Sequence, residues 1–102
     1  MKIGFVGCGA IGSCYASILS KKHEVCVLDT YAPVIEAIRK NGILVDQCVP
    51  GVGTGKTLAF HPAMATTDPK EIGVVDLLIV FVHYQYLEAA VRNALPMIDK
   101  HT

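Results

Sequence analysis

Apolar positions along the chain switch between two rhythms. Lys2-Ile3-Gly4-Phe5-Val6 is a short apolar run, followed by the glycine-rich turn Gly7-Cys8-Gly9-Ala10-Ile11-Gly12. Beyond it, Ile11, Tyr15, Ile18 and Leu19 recur at helical spacing with Ser13, Ser17 and Ser20 between them. The pattern predicts a strand, a tight turn and a helix that runs to about Lys21-Lys22, where two cations suit the negative end of the helix dipole. Glu24 to Asp29 reads as a second strand. A second helix follows, with Pro33 in its first turn and Val34, Ile35 and Ile38 on one face. Arg39-Lys40 fall in its last turn, and Asn41-Gly42 predict a left-handed stop. Ile43-Leu44-Val45 then predicts a third strand.

Residues 46–73 are the least regular stretch. Pro50 to Gly55 reads as a turn, and Thr57 to Phe60 as a short strand returning from it. Pro62 forbids a helix there, and Asp68-Pro69 opens a turn or one helical turn. Val75 to Val82 is almost wholly apolar, interrupted only by Asp76. A run without alternation predicts a strand buried on both faces, as in a parallel sheet. A last helix carries Leu87, Val91, Ala94 and Leu95 on one face and is interrupted at Pro96. Strands alternating with helices imply right-handed βαβ units. The expectation is an α/β, Rossmann-type doubly wound parallel sheet of strand order 3-2-1-4, its switch point beside the glycine turn. All of 1–102 reads as one dinucleotide-binding domain that stops short of later strands.

Composition narrows the function. The 102 residues are 52% hydrophobic and 18% charged, which supports a core and argues against disorder. Nine Lys+Arg balance nine Asp+Glu, whereas a nucleic-acid binder carries a basic excess or stripe. No apolar run approaches the ~20 residues of a membrane helix. The first residues lack the order of a signal peptide, so a cytoplasmic protein is expected. Cys8, Cys14, Cys26 and Cys48 show neither a Cys-x-x-Cys pair nor metal-ligand spacing, and read as reduced thiols in small core or loop positions, with no metal site.

The candidate chemistry centres on the turn. Gly7, Gly9 and Gly12 match G-x-G-x-x-G after a strand and at the opening of a helix, which is the context the pattern requires. Gly7 permits the tight turn, Gly9 lets backbone approach a pyrophosphate, and Gly12 lets helix pack on strand. The helix N-terminus offers unpaired N–H groups to the phosphates. Cys8, Ala10 and Ile11 complete this candidate cofactor-binding loop. Asp29, at the end of the second strand, stands where a carboxylate accepts hydrogen bonds from the adenosine ribose; a helix N-cap is its other reading. No Arg adjoins it to receive a 2′-phosphate. His83 follows the long apolar strand at the carboxyl edge of the sheet, beside Tyr84, Gln85 and Tyr86, and is either a cofactor contact or a polar cap for the next helix. Gly51 to Thr57 imitates a P-loop, but Pro50 occupies the position of its first glycine, so a hairpin tip is expected. No catalytic residue is inferable from the chain.

Over essentially its whole length the sequence resembles the N-terminal domain of the ketopantoate reductase family. The carriers are Met1-Lys2-Ile3 leading into Gly7 to Ser13, His23 and Val25 around the second strand, Ile35 to Gly42, Ala65-Thr66-Thr67-Asp68-Pro69, and Asp76 to Val80. The resemblance implies NADPH-dependent reduction of 2-dehydropantoate to pantoate, in pantothenate and coenzyme A synthesis. It also implies a helical C-terminal domain that carries the catalytic Lys and the substrate-binding residues, so that this chain alone is expected to be inactive. Two positions depart from the family: His83 stands where many members have Lys, and Asp29 where many have a basic or neutral polar residue. Asp29 favours NAD, whereas the resemblance favours NADP. A non-catalytic nucleotide-sensing module and another hydroxyacid or opine-type dehydrogenase are the alternatives. The expected partners are the dinucleotide, a small 2-oxoacid in the parent protein, and a second copy through the open sheet edge.

Overall fold

The computed structural model describes residues 1–7, 10–46 and 57–102. Its centre is a four-stranded parallel sheet. β1 (Lys2–Val6) lies between β2 (Glu24–Leu28) and β6 (Leu77–Val80), and β5 (Met64–Thr66) flanks β2. Around it stand α1 (Ala10–Leu19), α2 (Ala32–Asn41), the single turn α3 (Pro69–Ile72) and α4 (Leu87–Asn93). β3 (Ile43–Asp46) and β4 (Thr57–Phe60) form a separate antiparallel pair.

β1 and β2 are buried on both faces because successive side chains of an apolar strand point to opposite sides, whereas β6, from the run expected to be buried on both faces, is exposed at Leu77 and only half-buried from Leu78 to Val80. Ile3 and Phe5 join Val25, Val27, Ala16, Ile35 and Ile38 on one side. Val6 joins Cys26, Leu28, Ile72, Val75, Ala94 and Met97 on the other.

Counted by their places in the sheet, the strands run 3-2-1-4 as expected, but the third place is not filled by the expected segment. Ile43-Leu44-Val45 does form a strand, and it pairs antiparallel with β4 instead of parallel with β2. A parallel neighbour needs a long crossover. The chain makes that crossover through α2 and the β3–β4 pair together, and reaches β2 only at Met64–Thr66, with Cys26 opposite Met64 and Leu28 opposite Thr66.

Helix faces also depart from expectation. On α1, Tyr15 and Ile18 are exposed while Gly12 and Ala16 are buried, because only small residues let this helix close on the strands beneath. α1 ends at Leu19, and Lys21-Lys22 lie in the turn beyond it. On α4 and the 3-10 turn that follows it (Leu95–Met97), Leu87 and Leu95 face outward, and Ala90, Ala94 and Met97 pack inward. On α2 the expected face holds, with Ile35 and Ile38 buried. Gly42 ends α2 at φ 76° and ψ −177°, not in the left-handed helical well but in a region open essentially to glycine alone. Asp68 caps α3, its side chain accepting from the Lys70 N–H at 3.0 Å. Cys26 is buried, while Cys14 is exposed on α1 and fills no core position. Cys8, Cys48 and the segment Pro50 to Gly55, expected as a turn, lie outside the described residues.

Candidate dinucleotide cleft

A cleft of about 880 Å³ opens at the carboxyl ends of β1, β2 and β6. Its floor is Val6 and Gly7 with Gly12 above them. Leu28, Asp29 and Thr30 make one wall. The other runs from Val80 through Phe81, Val82 and His83 to Tyr86, Ala89, Ala90 and Asn93. This is the crevice where an α/β sheet reverses its winding, since β2 lies on one side of β1 and β6 on the other.

Gly7 and Gly12, at the floor, have no room for a side chain. Gly7 has φ 87°, and its N–H donates to the Leu28 carbonyl at 2.9 Å, so the turn is tied across to β2. A Cβ on Gly7 would collide with the Phe81 carbonyl oxygen, and one on Gly12 would stand 2.9 Å from the carbonyl oxygen of Gly7. Both contacts are with the chain's own backbone, so these glycines permit the close packing that brings the first turn of α1 to the cleft, and a helix N-terminus is where a pyrophosphate is held. Gly9 and Cys8, two expected members of the loop, lie outside the described residues. Ala10 and Ile11 open α1.

Asp29 lines the cleft at the end of β2. Its N–H donates to the Thr66 carbonyl at 3.2 Å, continuing the β2–β5 ladder. One carboxylate oxygen, Oδ1, accepts the Tyr31 N–H at 2.9 Å at the start of α2. Asp29 thus lines the cleft and braces the residue before α2, but it is not the expected helix N-cap, a position that Tyr31 holds. Tyr31 itself, the N-cap, makes no side-chain capping bond. His83 lines the opposite wall, and its side chain makes no capping bond either; the Tyr86 N–H is taken by the His83 carbonyl at 2.8 Å. Tyr86 joins it in the wall, whereas Tyr84, 89% exposed, does not. No Lys or Arg is among the described residues lining the cleft.

Phe81 is a site residue that the sequence reading passed over. Its N–H donates to the Val6 carbonyl at 2.9 Å, and its carbonyl crowds Gly7. Its ring stacks on Tyr15 at 5.5 Å and Phe5 at 6.3 Å between centroids. It therefore joins β6, the glycine turn and α1. The signal was an aromatic ring ending the apolar run. Asn93 was also missed, though Tyr86, Ala89, Ala90 and Asn93 recur at helical spacing along one face.

No helix among the described residues is long and apolar enough to cross a membrane. The family described as Ketopantoate reductase PanE/ApbA matches residues 3–102. Over 106 aligned residues the chain is 28% identical to a 2-dehydropantoate 2-reductase of Lactococcus lactis, covering 100% of this chain and 31% of that protein. A crystal structure of a candidate 2-dehydropantoate 2-reductase from Enterococcus faecalis is 32% identical at a TM-score of 0.80, covering 100% of this chain and 32% of the other. The ternary structure of D-mandelate dehydrogenase with NADH and anilino(oxo)acetate is 28% identical at a TM-score of 0.84, covering 100% and 31%. The chain thus spans roughly a third of the length of the relatives it matches.

Proposed function

This chain belongs to the ketopantoate reductase family, and on that premise we propose that it is the dinucleotide-binding part of an NAD(P)-dependent reductase of 2-oxoacids, with 2-dehydropantoate as the substrate and pantoate as the product. The observation that carries the reading is the cleft itself: Gly7 after β1 and Gly12 in the first turn of α1, facing a carboxylate at the end of β2, at the switch point of a parallel sheet. Gly7, Cys8, Gly9, Ala10, Ile11 and Gly12 receive the pyrophosphate. Asp29 accepts the adenosine ribose hydroxyls, and His83 contacts the cofactor from the opposite wall. The bound dinucleotide supplies the hydride. This chain orients it and shields one side of it from water. The proton donor and the substrate contacts belong to the remainder of the parent protein, so this chain alone does not turn over 2-dehydropantoate. A cytoplasmic setting agrees with the free thiols of Cys14 and Cys26.

The preferred cofactor is NADH. A carboxylate about 4 Å from a 2′-phosphate repels it by about 1 kcal/mol in water and ~4 kcal/mol at an effective dielectric of 20. That corresponds to roughly fivefold to nearly a thousandfold in affinity. The likeness to a dehydrogenase solved with NADH supports the same choice. Another hydroxyacid dehydrogenase is the second reading, favoured by that likeness and by Asp29. The isolated chain self-associates through the outer edge of β6, which has no partner among the described strands.

Calorimetric titration of NADH and NADPH into the chain and into Gly9→Val tests the reading. Saturable binding, tighter for NADH and abolished by Gly9→Val, is expected. Affinity unchanged by Gly9→Val removes the glycine loop from the site, and tighter NADPH binding means that Asp29 serves only the helix start.

A further inference from the structure

We propose that Thr66, Glu71 and Arg39, which lie outside the cleft, form a brace that positions Asp29 and thereby sets the discrimination between dinucleotides with and without a 2′-phosphate; this rests on the ribose-binding reading of Asp29 above.

Thr66 is a polar residue at 1% exposure on β5, the outermost strand of the sheet. Its hydroxyl donates to Glu71 Oε2 at 2.8 Å and accepts the Asp68 N–H at 3.1 Å. Its carbonyl accepts the N–H of Asp29 at 3.2 Å, beyond the last paired position of β2. Arg39, in the last turn of α2, donates Nε to the Ala65 carbonyl at 2.7 Å and brings Nη2 to 4.0 Å from the same Glu71 oxygen.

These bonds close a ring. Asp29 Oδ1 holds the Tyr31 N–H where α2 begins. Arg39 ties the other end of α2 to β5. Through Thr66, β5 returns to the backbone of Asp29. Both anchors of Asp29, its main chain and its carboxylate, therefore belong to elements that the brace joins. β5 pairs with β2 over only three positions, so the side-chain bonds at its end add to a short ladder in holding Thr66 and, through its carbonyl, the backbone of Asp29. Arg39 and Glu71 are themselves exposed, with side chains 56% and 53% accessible. Their ion pair contributes little by itself; what fixes the ring is the hydrogen bonding to the buried Thr66 and to Ala65. Thr66, Glu71 and Arg39 are positioning residues, since none of them lines the cleft.

The test measures NADH and NADPH dissociation constants for the full chain and for Thr66→Val, which keeps the side-chain shape and removes the hydroxyl. The NADH-over-NADPH preference is expected to fall about threefold to tenfold, the worth of one hydrogen bond. Thr66→Ser restores it, and reduced nicotinamide mononucleotide, which lacks the adenosine half, binds unchanged. In an Asp29→Asn background, Thr66→Val produces no further change in the preference. Where Thr66→Val does not fold, Glu71→Leu, which removes the acceptor from the exposed member of the brace, carries the same expectation. A preference unmoved by Thr66→Val or Glu71→Leu, in a chain where Asp29→Asn does move it, overturns the brace alone. A preference unmoved by Asp29→Asn overturns the ribose reading and the brace together.

Discussion

β2 and β6 flank the same central strand and supply the two walls of one cleft. Their sequences, Val25-Cys26-Val27-Leu28 and Leu77-Leu78-Ile79-Val80, are equally apolar. Yet Val25, Cys26, Val27 and Leu28 are all at 2% exposure or less, while Leu77 is 42% exposed and the next three residues stay half-buried. β2 has a strand on each side, β1 and β5, with Ile35 and Ile38 of α2 packed in the same core cluster. β6 has β1 alone. Hydropathy states how much surface a strand is written to bury, and its neighbours decide how much of it is buried.

Two leucines put the comparison to a direct test. Leu28→Ala removes a side chain at 0% exposure and should cost about 2–5 kcal/mol, a large part of a small domain's stability. Leu77→Ala should cost under about 1 kcal/mol. Urea unfolding with an unchanged slope measures both, and equal costs would break the comparison. The next largest effect is association. Sedimentation of the isolated chain should show a species above 10.9 kDa. Leu77→Lys, a charge at the strand edge, should return it to the monomer. A wild-type monomer, or a dimer indifferent to that lysine, places any contact elsewhere.

The smallest effect concerns the thiols. Burial pushes the Cys26 thiol above its ordinary value of 9.0, the negative charge of Glu24 adds to this, and Lys2 opposes it. The folded chain therefore keeps this proton to higher pH than the unfolded chain does. The unfolded state binds fewer protons once pH passes about 9, so the stability held through Cys26 is present below that pH and is lost as pH rises into the raised folded value. Alkylation between pH 7 and 9, mapped by mass spectrometry, should label exposed Cys14 and spare Cys26. Equal labelling would mean that β2 opens as readily as the surface of α1.

The parallel sheet, its winding and the glycine turn were legible because each rests on local sequence: uninterrupted apolar runs, a glycine pattern between strand and helix, and an acidic residue ending β2. β5 was not legible. Met64-Ala65-Thr66 carries no strong strand signal, and it is a strand because β2 needs a neighbour and small residues fit beneath α2 and α3. Ile43-Leu44-Val45 had the stronger pattern and went into the separate pair, since pattern specifies a strand without specifying its partner. The same gap hid the outward turn of Tyr15, Ile18, Leu87 and Leu95. Helical periodicity marks an apolar stripe, but close packing on strands selected the small residues Gly12, Ala16, Ala90 and Ala94 beside it. Asp29 and His83 were placed beside the cleft from their positions after apolar runs, and both line it. Phe81 and Asn93 were missed because their roles depend on what crosses over them in space.

Amide chemical-shift mapping during titration with NADH tests the central claim most directly. Saturable shifts should concentrate at Gly7, Gly12, Asp29, Thr30, Val82 and His83, around the cleft at the carboxyl ends of β1, β2 and β6. Arg39, His61 and Met64, which line a second hollow of about 400 Å³, should stay still. Shifts confined to that second hollow, or none at millimolar NADH, would contradict the account.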